Sequence, residues 1–247
     1  RKESSAASDV YKRQLINDSY AMGRVEGLAN RIGGFVGWSD ANINRSFSLG
    51  DVHGNGVNRY VGGFGGYITQ NIIDSYSTGH IYTDADQAGG FIGLKSGSQI
   101  LRSYSTGNIV STGDSIGGFV GENENSLVQE SYASGNVIGV NNVGSFMGLM
   151  PSGTIQDSFA TGDATGTTDI GGFIGELSGG ILNNNYTLAS IIGGGTNSNA
   201  FIGNLVGGTL TDNFWNSDKT IEVNGSEGVA SVATVSYTHL RAHETDS

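Results

Sequence analysis

The sequence contains no cysteine and only one proline, Pro151, in 247 residues. The absence of cysteine excludes a disulfide framework and thiolate metal sites. No apolar run approaches the roughly 20 residues that a membrane helix needs, so we expect this segment to make no membrane contact. The net charge of −11 argues against nucleic acid as a partner. Phosphate binding requires clustered lysine and arginine.

Both ends resemble translated adaptor DNA from sequencing libraries. They read SSAASDVYKRQ at residues 4–14 and VSYTHLRAHET at residues 235–245. We interpret residues 1–14 and 235–247 as non-native tails. Without the tails, seven basic and 19 acidic residues remain. We expect this remainder to be an internal fragment of a longer protein from a metagenomic source. It divides into a repeat domain at 15–217 and a C-terminal flank of the array at 218–234.

One phrase recurs along the chain: IGGFVG begins at Ile32 and again at Ile116, and close variants lie between and beyond. Its phenylalanines are 27 to 29 residues apart. They are Phe35, Phe64, Phe91, Phe119, Phe146, Phe173 and Phe201. A second phrase, typified by SYSTG, interleaves with the first. Its aromatic residues are Tyr20, Phe47, Tyr76, Tyr104, Tyr132, Phe159, Tyr186 and Phe214. A period in this range is typical of a solenoid.

Each period is rich in glycine and has short runs of Ile, Val, Phe and Tyr, which predict strands and turns. We predict three short strands per coil. The first is centred four residues before the SYSTG-type aromatic. The second follows the glycine that ends the SYSTG phrase, which we call the turn glycine. The third is the GGFVG phrase. The fold class is therefore predicted to be all-β, a parallel β-solenoid of about seven coils of ~28 residues. We expect the β-helix to be right-handed.

Stacking of identical coils predicts which columns are buried. We expect the phenylalanine column to lie inside, because it is filled in every copy while the next position can be Gly65. A bend before the SYSTG-type aromatic is expected to turn that ring inside as well. Two residues before each aromatic, opposite charges alternate in a way that predicts an exposed ladder of ion pairs. This column is Asp18, Arg45, Asp74, Arg102, Glu130, Asp157, Asn184 and Asp212. In the column after the turn glycine, Asn108 and Asn136 are expected to share amide hydrogen bonds.

The repeated unit resembles the GLUG repeat. The segments GFVG at 34–37 and 118–121, and GFIG at 90–93 and 172–175, match the core of that motif with Phe in place of Leu. The resemblance covers Leu15 to about Trp215. It implies a stalk or adhesive module of a bacterial secreted or surface protein, as in filamentous-haemagglutinin-like adhesins and some immunoglobulin A peptidases. It implies no catalytic residues within the repeats.

The residues able to support chemistry are few, and we predict no catalytic, cofactor-binding or metal-binding residue and no cofactor. His53 and His80 lie in adjacent coils without a third ligand, which is a poor zinc site. The acidic turns 84–86 and 122–124 supply oxygen atoms for Ca²⁺ but lack the spacing of known calcium motifs. We interpret them as solvated turns. The glycosylation sequons at Asn17, Asn44 and Asn185 are interpreted as by-products of the repeat.

Three functions compete. The favoured one is a non-catalytic structural or adhesive segment of a secreted or cell-surface bacterial protein. A polysaccharide-acting β-helix enzyme would need converging acids, and Asp18, Asp74, Glu130 and Asp157 form the only candidate column. An ice- or surface-binding solenoid would need a regular threonine array. Thr78, Thr106 and Thr161 share a column that Met22, Leu49, Ser134 and Leu188 interrupt.

The predicted partners are host or surface glycans or proteins and the neighbouring domains of a longer chain. Trp38 and Tyr67, three residues past their phenylalanines, are the residues on which a glycan would stack. Leu94 and Glu122 continue that column and weaken the hypothesis.

Overall fold

The protein is a parallel β-solenoid in which one coil lies directly on the next. The computed structural model describes residues 15–55, 59–193, 196–216, 218–219, 221–223 and 226–227. About seven coils of about 28 residues follow one another, as the sequence predicts. The expected non-native tails, 1–14 and 235–247, lie outside the described residues.

Within the described residues each complete coil contributes one short strand to each of five sheets, named A to E in chain order. The strands pair in parallel, except that Ser226–Glu227 at the end of sheet C pairs antiparallel with Ile221–Val223. Sheet A comprises Leu15–Asn17, Asn42–Asn44, Ile72–Ile73, Gln99–Leu101, Leu127–Gln129, Thr154–Gln156, Ile181–Asn183 and Thr209–Thr211. Sheet B comprises Tyr20–Ala21, Phe47–Ser48, Tyr76–Ser77, Tyr104–Ser105, Tyr132–Ala133, Phe159–Ala160, Tyr186–Thr187 and Phe214–Trp215. Sheet C comprises Val25–Gly27, Val52–Gly54, Ile81–Thr83, Ile109–Ser111, Val137–Ile138, Ala164–Gly166, Ile191–Gly193, Ile221–Val223 and Ser226–Glu227.

The GGFVG phrase spans the other two sheets. Sheet D comprises Arg31–Gly33, Tyr60–Gly62, Gln87–Gly89, Ile116–Gly117, Asn141–Gly144, Thr168–Gly171 and Ser198–Asn199. Sheet E comprises Val36–Ser39, Gly65–Ile68, Ile92–Ser96, Val120–Glu124, Met147–Met150, Ile174–Leu177 and Ile202–Leu205. The three predicted segments are present, but two bends divide the coil further. Each complete coil therefore has five strands instead of the expected three.

The register places each residue over its equivalent one period away. Ile43 pairs with Ile72, and Ile72 pairs with Ile100. The phenylalanine rings of successive coils stack with centroids 4.7 to 5.0 Å apart, from Phe35 through to Phe201. That distance is the spacing of neighbouring strands in a sheet. The prediction that every coil is the template for the next is confirmed.

Two separate hydrophobic cores run along the axis. The first contains the phenylalanine column and the inward residues of sheets A and E, such as Ile72 and Ile92. The second lies between sheets C and D and contains residues such as Ile81 and Ile116. The phenylalanine column is buried from Phe64 to Phe201, as expected, and Phe35 in the first coil is partly buried. The next column is buried too, because the chain bends at the glycines and carries both side chains inward.

Glycine is required where the phrase crosses between the two cores. A Cβ at Gly89 would lie 2.0 Å from the carbonyl oxygen of Ile92, and one at Gly93 would lie 2.6 Å from the backbone nitrogen of Val61. No side chain fits such gaps, since the backbones of sheets D and E touch there. The repeated glycines of the phrase therefore reflect this close approach.

A bend between sheets A and B is made by a residue in the left-handed conformation. All eight members of the charged column have φ between 45° and 54°. A left-handed residue reverses the inward and outward alternation that a continuous strand would have. The aromatic that follows consequently points outward: Tyr20 is 63% exposed, and the remaining rings are half-buried or exposed. The predicted bend is present, but the prediction that it turns the aromatics inside is wrong.

The residues that point inward at this bend are serines. This serine column is Ser19, Ser46, Ser75, Ser103, Ser131, Ser158, Asn185 and Asn213. Ser103 is representative: its hydroxyl donates to the Leu101 carbonyl at 3.1 Å and accepts the Ser75 backbone N–H at 3.2 Å. The hydroxyl thus closes the bend of its own coil and satisfies a buried donor of the coil before it. In the last two coils an asparagine amide oxygen accepts the same backbone N–H, but the amide NH2 donates to a carbonyl of the coil before, as Asn185 does to Ile155 at 2.9 Å.

We predict that Ser103→Ala lowers the free energy of unfolding by about 1–3 kcal/mol, because it leaves the buried N–H of Ser75 without its acceptor. Chemical denaturation followed by circular dichroism measures the change. Ser134→Ala is the matched control, since Ser134 is exposed in the next repeat of the same phrase. Equal stability of the two variants would show that the serine column is not a structural element.

Candidate functional surface

The outward aromatics of sheet B form a continuous stacked ladder. From Tyr20 to Tyr186, successive ring centroids are 4.8 to 5.3 Å apart with interplanar angles of 1° to 11°. Partial burial disfavours the phenolate form of Tyr104 and Tyr132 and raises the pKa values of both residues. Ring faces cover one another, so the inner rings offer solvent only their edges. A sugar ring cannot lie flat on them.

The charged column beside this ladder forms the predicted ion pairs. Arg45 binds Asp18 through two hydrogen bonds of 2.7 Å, and Arg102 binds Asp74 through bonds of 2.7 and 3.0 Å. Each arginine pairs with the aspartate of the coil before it. The hydrogen bond from its arginine lowers the pKa of each aspartate. Both pairs are exposed, so solvent screens them and each contributes little to stability.

The column is also where the enzyme hypothesis placed its acids. Asp18 and Asp74 are engaged by the arginines, and the Asp157 carboxylate accepts a 2.7 Å hydrogen bond from the Asn184 amide. Glu130 accepts a hydrogen bond from its neighbour Gln129 at 3.3 Å. Ladder contacts between coils therefore account for most of these carboxylates without a substrate.

The column after the turn glycine is a second hydrogen-bonded ladder. From Asp51 to Asp163 each side chain of the column accepts a backbone N–H from the next coil. The Asn136 N–H donates to the Asn108 amide oxygen at 2.9 Å, so the expected bond between these two residues involves the backbone of one of them. The Asn108 N–H donates to His80 Nδ1 at 3.1 Å. His53 lies in a different column and packs against the Tyr82 ring at 4.8 Å. Each histidine therefore has a structural role of its own.

Of the two expected acidic turns, the structure has one. Asp84 and Asp86 lie in a turn and are exposed on either side of buried Ala85. The expectation of a turn at 122–124 is wrong, because Glu122 and Glu124 belong to the sheet E strand Val120–Glu124, where they are half-buried and flank buried Asn123. Burial and the nearby Glu124 carboxylate raise the pKa of Glu122, while a hydrogen bond from Gln87 and the charge of Arg59 oppose the shift. Among the described residues no three His, Asp or Glu side chains are grouped so that they could hold a metal ion.

The threonine column and the sequons also have defined positions. Thr78 and Thr106 are half-buried neighbours in successive coils, and exposed Ser134 separates them from Thr161. The structure thus brings only two of the three threonines together. Asn185, the asparagine of one sequon, is 1% exposed with its amide bonded inside the serine column. It is not accessible to a glycosylating enzyme in the folded protein.

A buried lysine is the titratable group that sequence reasoning missed. Lys95 is fully buried in a column of the first core, directly over Asn123 and next to Ile68 of the preceding coil. Its ammonium group donates to the carbonyl of Gly97, and burial lowers its pKa to about 7. The Asn123 amide oxygen has no hydrogen-bond partner. Reading the sequence by columns would have found Lys95, because Ile, Met and Leu occupy equivalent positions.

Trp38 and Tyr67 occupy one column of sheet E, as predicted, and pair through the backbone. Trp38 is 49% exposed. The guanidinium of Arg31 lies 5.2 Å from the centre of the Tyr67 ring. In the next coil the column continues with buried Leu94, so the aromatic surface is confined to the first two coils.

Comparison with known proteins connects the repeat to a described motif. Residues 112–138 match the family model of the GLUG motif. The matched segment is one coil long: it begins in the turn before sheet D and ends with the strand of sheet C in the following coil. Searches of curated proteins and of solved structures gave no match. The motif and the solenoid together support a GLUG-repeat protein whose described chain is a repeat-type structural segment. Across that chain no helix is long and apolar enough to cross a membrane.

We predict that Lys95→Met stabilises the protein by roughly 2–4 kcal/mol at pH 7. An unfolded lysine stays protonated to about pH 10.5, whereas Lys95 loses its proton near pH 7 in the folded state. The unfolded wild type therefore binds more protons between these values, and wild-type stability rises with pH across that window. The advantage of the variant should be complete below pH 7 and vanish as the pH approaches 10.5.

Urea unfolding at pH 6, 8 and 10 measures this difference, with Lys219→Met as the control because Lys219 is exposed. A constant difference between Lys95→Met and wild type across the three pH values would contradict the role assigned to burial.

Proposed function

We propose that this chain is a non-catalytic structural and adhesive segment of a bacterial protein that is secreted or held at the cell surface. The observation that carries the proposal is the unbroken register of the coils. Every column meets its own equivalent, so the outer surface repeats at each strand spacing. A surface of this kind presents many similar contacts along one axis, which favours multivalent attachment over a single reaction centre.

The ladders support the same function. The aromatic, charged and turn columns connect each coil to the next through stacked rings, ion pairs and backbone hydrogen bonds. A stalk that holds a binding surface away from a cell needs this kind of axial rigidity. The partners proposed for it are glycans or proteins of a host or surface, and further domains of a longer chain.

We predict that one whole coil can be removed. Deletion of residues 104–131 joins Ser103 to Tyr132 and restores the motif, so the protein should fold with its length reduced by about 4.8 Å. Deletion of half a coil, residues 104–117, joins Ser103 to Gly118, misaligns every column and should prevent folding. Circular dichroism and small-angle X-ray scattering distinguish the outcomes. Equal folding of both variants would contradict the templating of coils.

Adhesion is tested with microbeads that carry the purified protein. We expect such beads to attach to cultured epithelial cells under flow more firmly than beads that carry an unrelated acidic protein of similar size. Attachment no stronger than that of the acidic control would overturn the adhesive part of the proposal and leave the structural part in place.

A further inference from the structure

We propose that the first two coils carry a binding site for an acidic sugar, made by Arg31, Trp38, Arg59, Tyr60 and Tyr67. This group is named the arginine–aromatic cluster. The inference rests on the proposed adhesive function, for which it names a ligand class. It depends on a local group of unlike side chains that occupies the outer surface of these two coils and is not repeated in the third coil.

The five residues are contiguous on the edge formed by sheets D and E. Arg31 pairs through the backbone with Tyr60, and Trp38 pairs with Tyr67. The rings of Tyr60 and Tyr67 are 5.7 Å apart and tilted by 42°. Arg31 lies over the Tyr67 ring, and the Arg59 guanidinium is 5.7 Å from the centre of the Tyr60 ring.

The cluster ends sharply at the third coil. Gln87 takes the position of Tyr60, and Leu94 takes that of Tyr67. The arginines and aromatic rings are therefore no consequence of the repeat, which would place similar residues in every coil. A feature that departs from the repeat in two adjacent columns at once needs a separate explanation.

Charge supports an anionic ligand. Arg24, Arg45 and Arg102 each form an ion pair with a carboxylate, whereas exposed Arg31 and Arg59 form none within the described residues. A guanidinium that stacks on a ring keeps its N–H edges available, and those edges bind a carboxylate through two parallel hydrogen bonds. Two positive charges without an ion pair are conspicuous in a chain with a net charge of −11.

The aromatic residues support a sugar as the carrier of that anion. Trp38 is half exposed beside the two tyrosines, and the apolar C–H face of a pyranose ring packs well on an indole. A dense polyanion is disfavoured, because the chain as a whole is acidic and the charge of Arg59 also acts on Glu122. The chemistry therefore fits a sugar with a single carboxylate, bound mainly by Arg31 and Trp38.

The test is a titration with 3′-sialyllactose, followed by saturation-transfer NMR and calorimetry, with neutral lactose as the matched ligand. Wild-type protein should bind the acidic sugar and not lactose. Arg31→Gln and Trp38→Ala should each weaken binding about tenfold or more, which is the expected loss for one charge-assisted or aromatic contact. Arg31→Lys should fall between wild type and Arg31→Gln, since it keeps the charge and loses the planar fork.

Arg24→Gln and Tyr82→Ala are the control variants, because both residues are exposed and lie at or in sheet C, outside the cluster on sheets D and E. Both should bind like wild type, and the melting temperatures of all variants verify folding. Absence of sialyllactose binding, equal binding of lactose, or an unchanged Arg31→Gln would overturn the inference. Tighter binding of heparin or of an oligonucleotide would overturn it in favour of a polyanion site.

The same variants separate this inference from the adhesive function. Beads that attach to cells equally with wild-type and Arg31→Gln protein, when neither binds sialyllactose, would retain adhesion and eliminate the sugar site. Sialyllactose binding that depends on Arg31, from a protein whose beads do not attach, would retain the site and eliminate adhesion.

Discussion

The structure depends on one constraint, which is that each coil must hydrogen-bond to its neighbours along the whole of its path. Parallel pairing at the spacing of a sheet leaves every side chain facing its own equivalent. Apolar columns then build the two cores, and polar columns must satisfy their donors and acceptors within the column. The serine column meets this requirement by bonding both within a coil and between coils. The sequence repeats as a direct consequence, because a residue that cannot pair with its equivalents in the neighbouring coils interrupts its column.

Much of this fold can be predicted from the spacing of residues. The period of the phenylalanines predicts the solenoid, and the alternating charges around Arg45 and Arg102 predict the ladder of ion pairs. These features belong to single columns, and a column can be read from the sequence alone. The outward direction of the aromatics could not be read in this way. It depends on the left-handed residue two positions earlier, and the eight residues there include Arg and Glu, which do not favour that conformation.

The candidate sites differ in the same way: some can be read from the sequence, and others depend on the fold. The histidines, the acidic residues and the threonines are visible as motifs, and of these the structure gives His80 a place in the hydrogen-bonded ladder after the turn. The sequence pointed to Trp38 and Tyr67, but Lys95 and the arginines of the cluster were not found. Lys95 was missed because its column was not read, although the apolar residues at equivalent positions mark that column as buried. The arginines were missed because Arg31 and Tyr67 belong to different columns, and only the folded coil shows that sheets D and E bring them together.

The alignment of the hydrogen bonds between coils with the long axis of the solenoid has a mechanical consequence. Tension applied through the two ends of the chain loads these bonds one coil at a time, starting from an end. Each coil that detaches removes about 4.8 Å of stack and releases roughly 28 residues of extended chain, on the order of 95 Å. Each detached coil thus becomes about twentyfold longer, and the tether lengthens in discrete steps while the remaining coils stay folded. Such stepwise lengthening would dissipate the energy of an applied force.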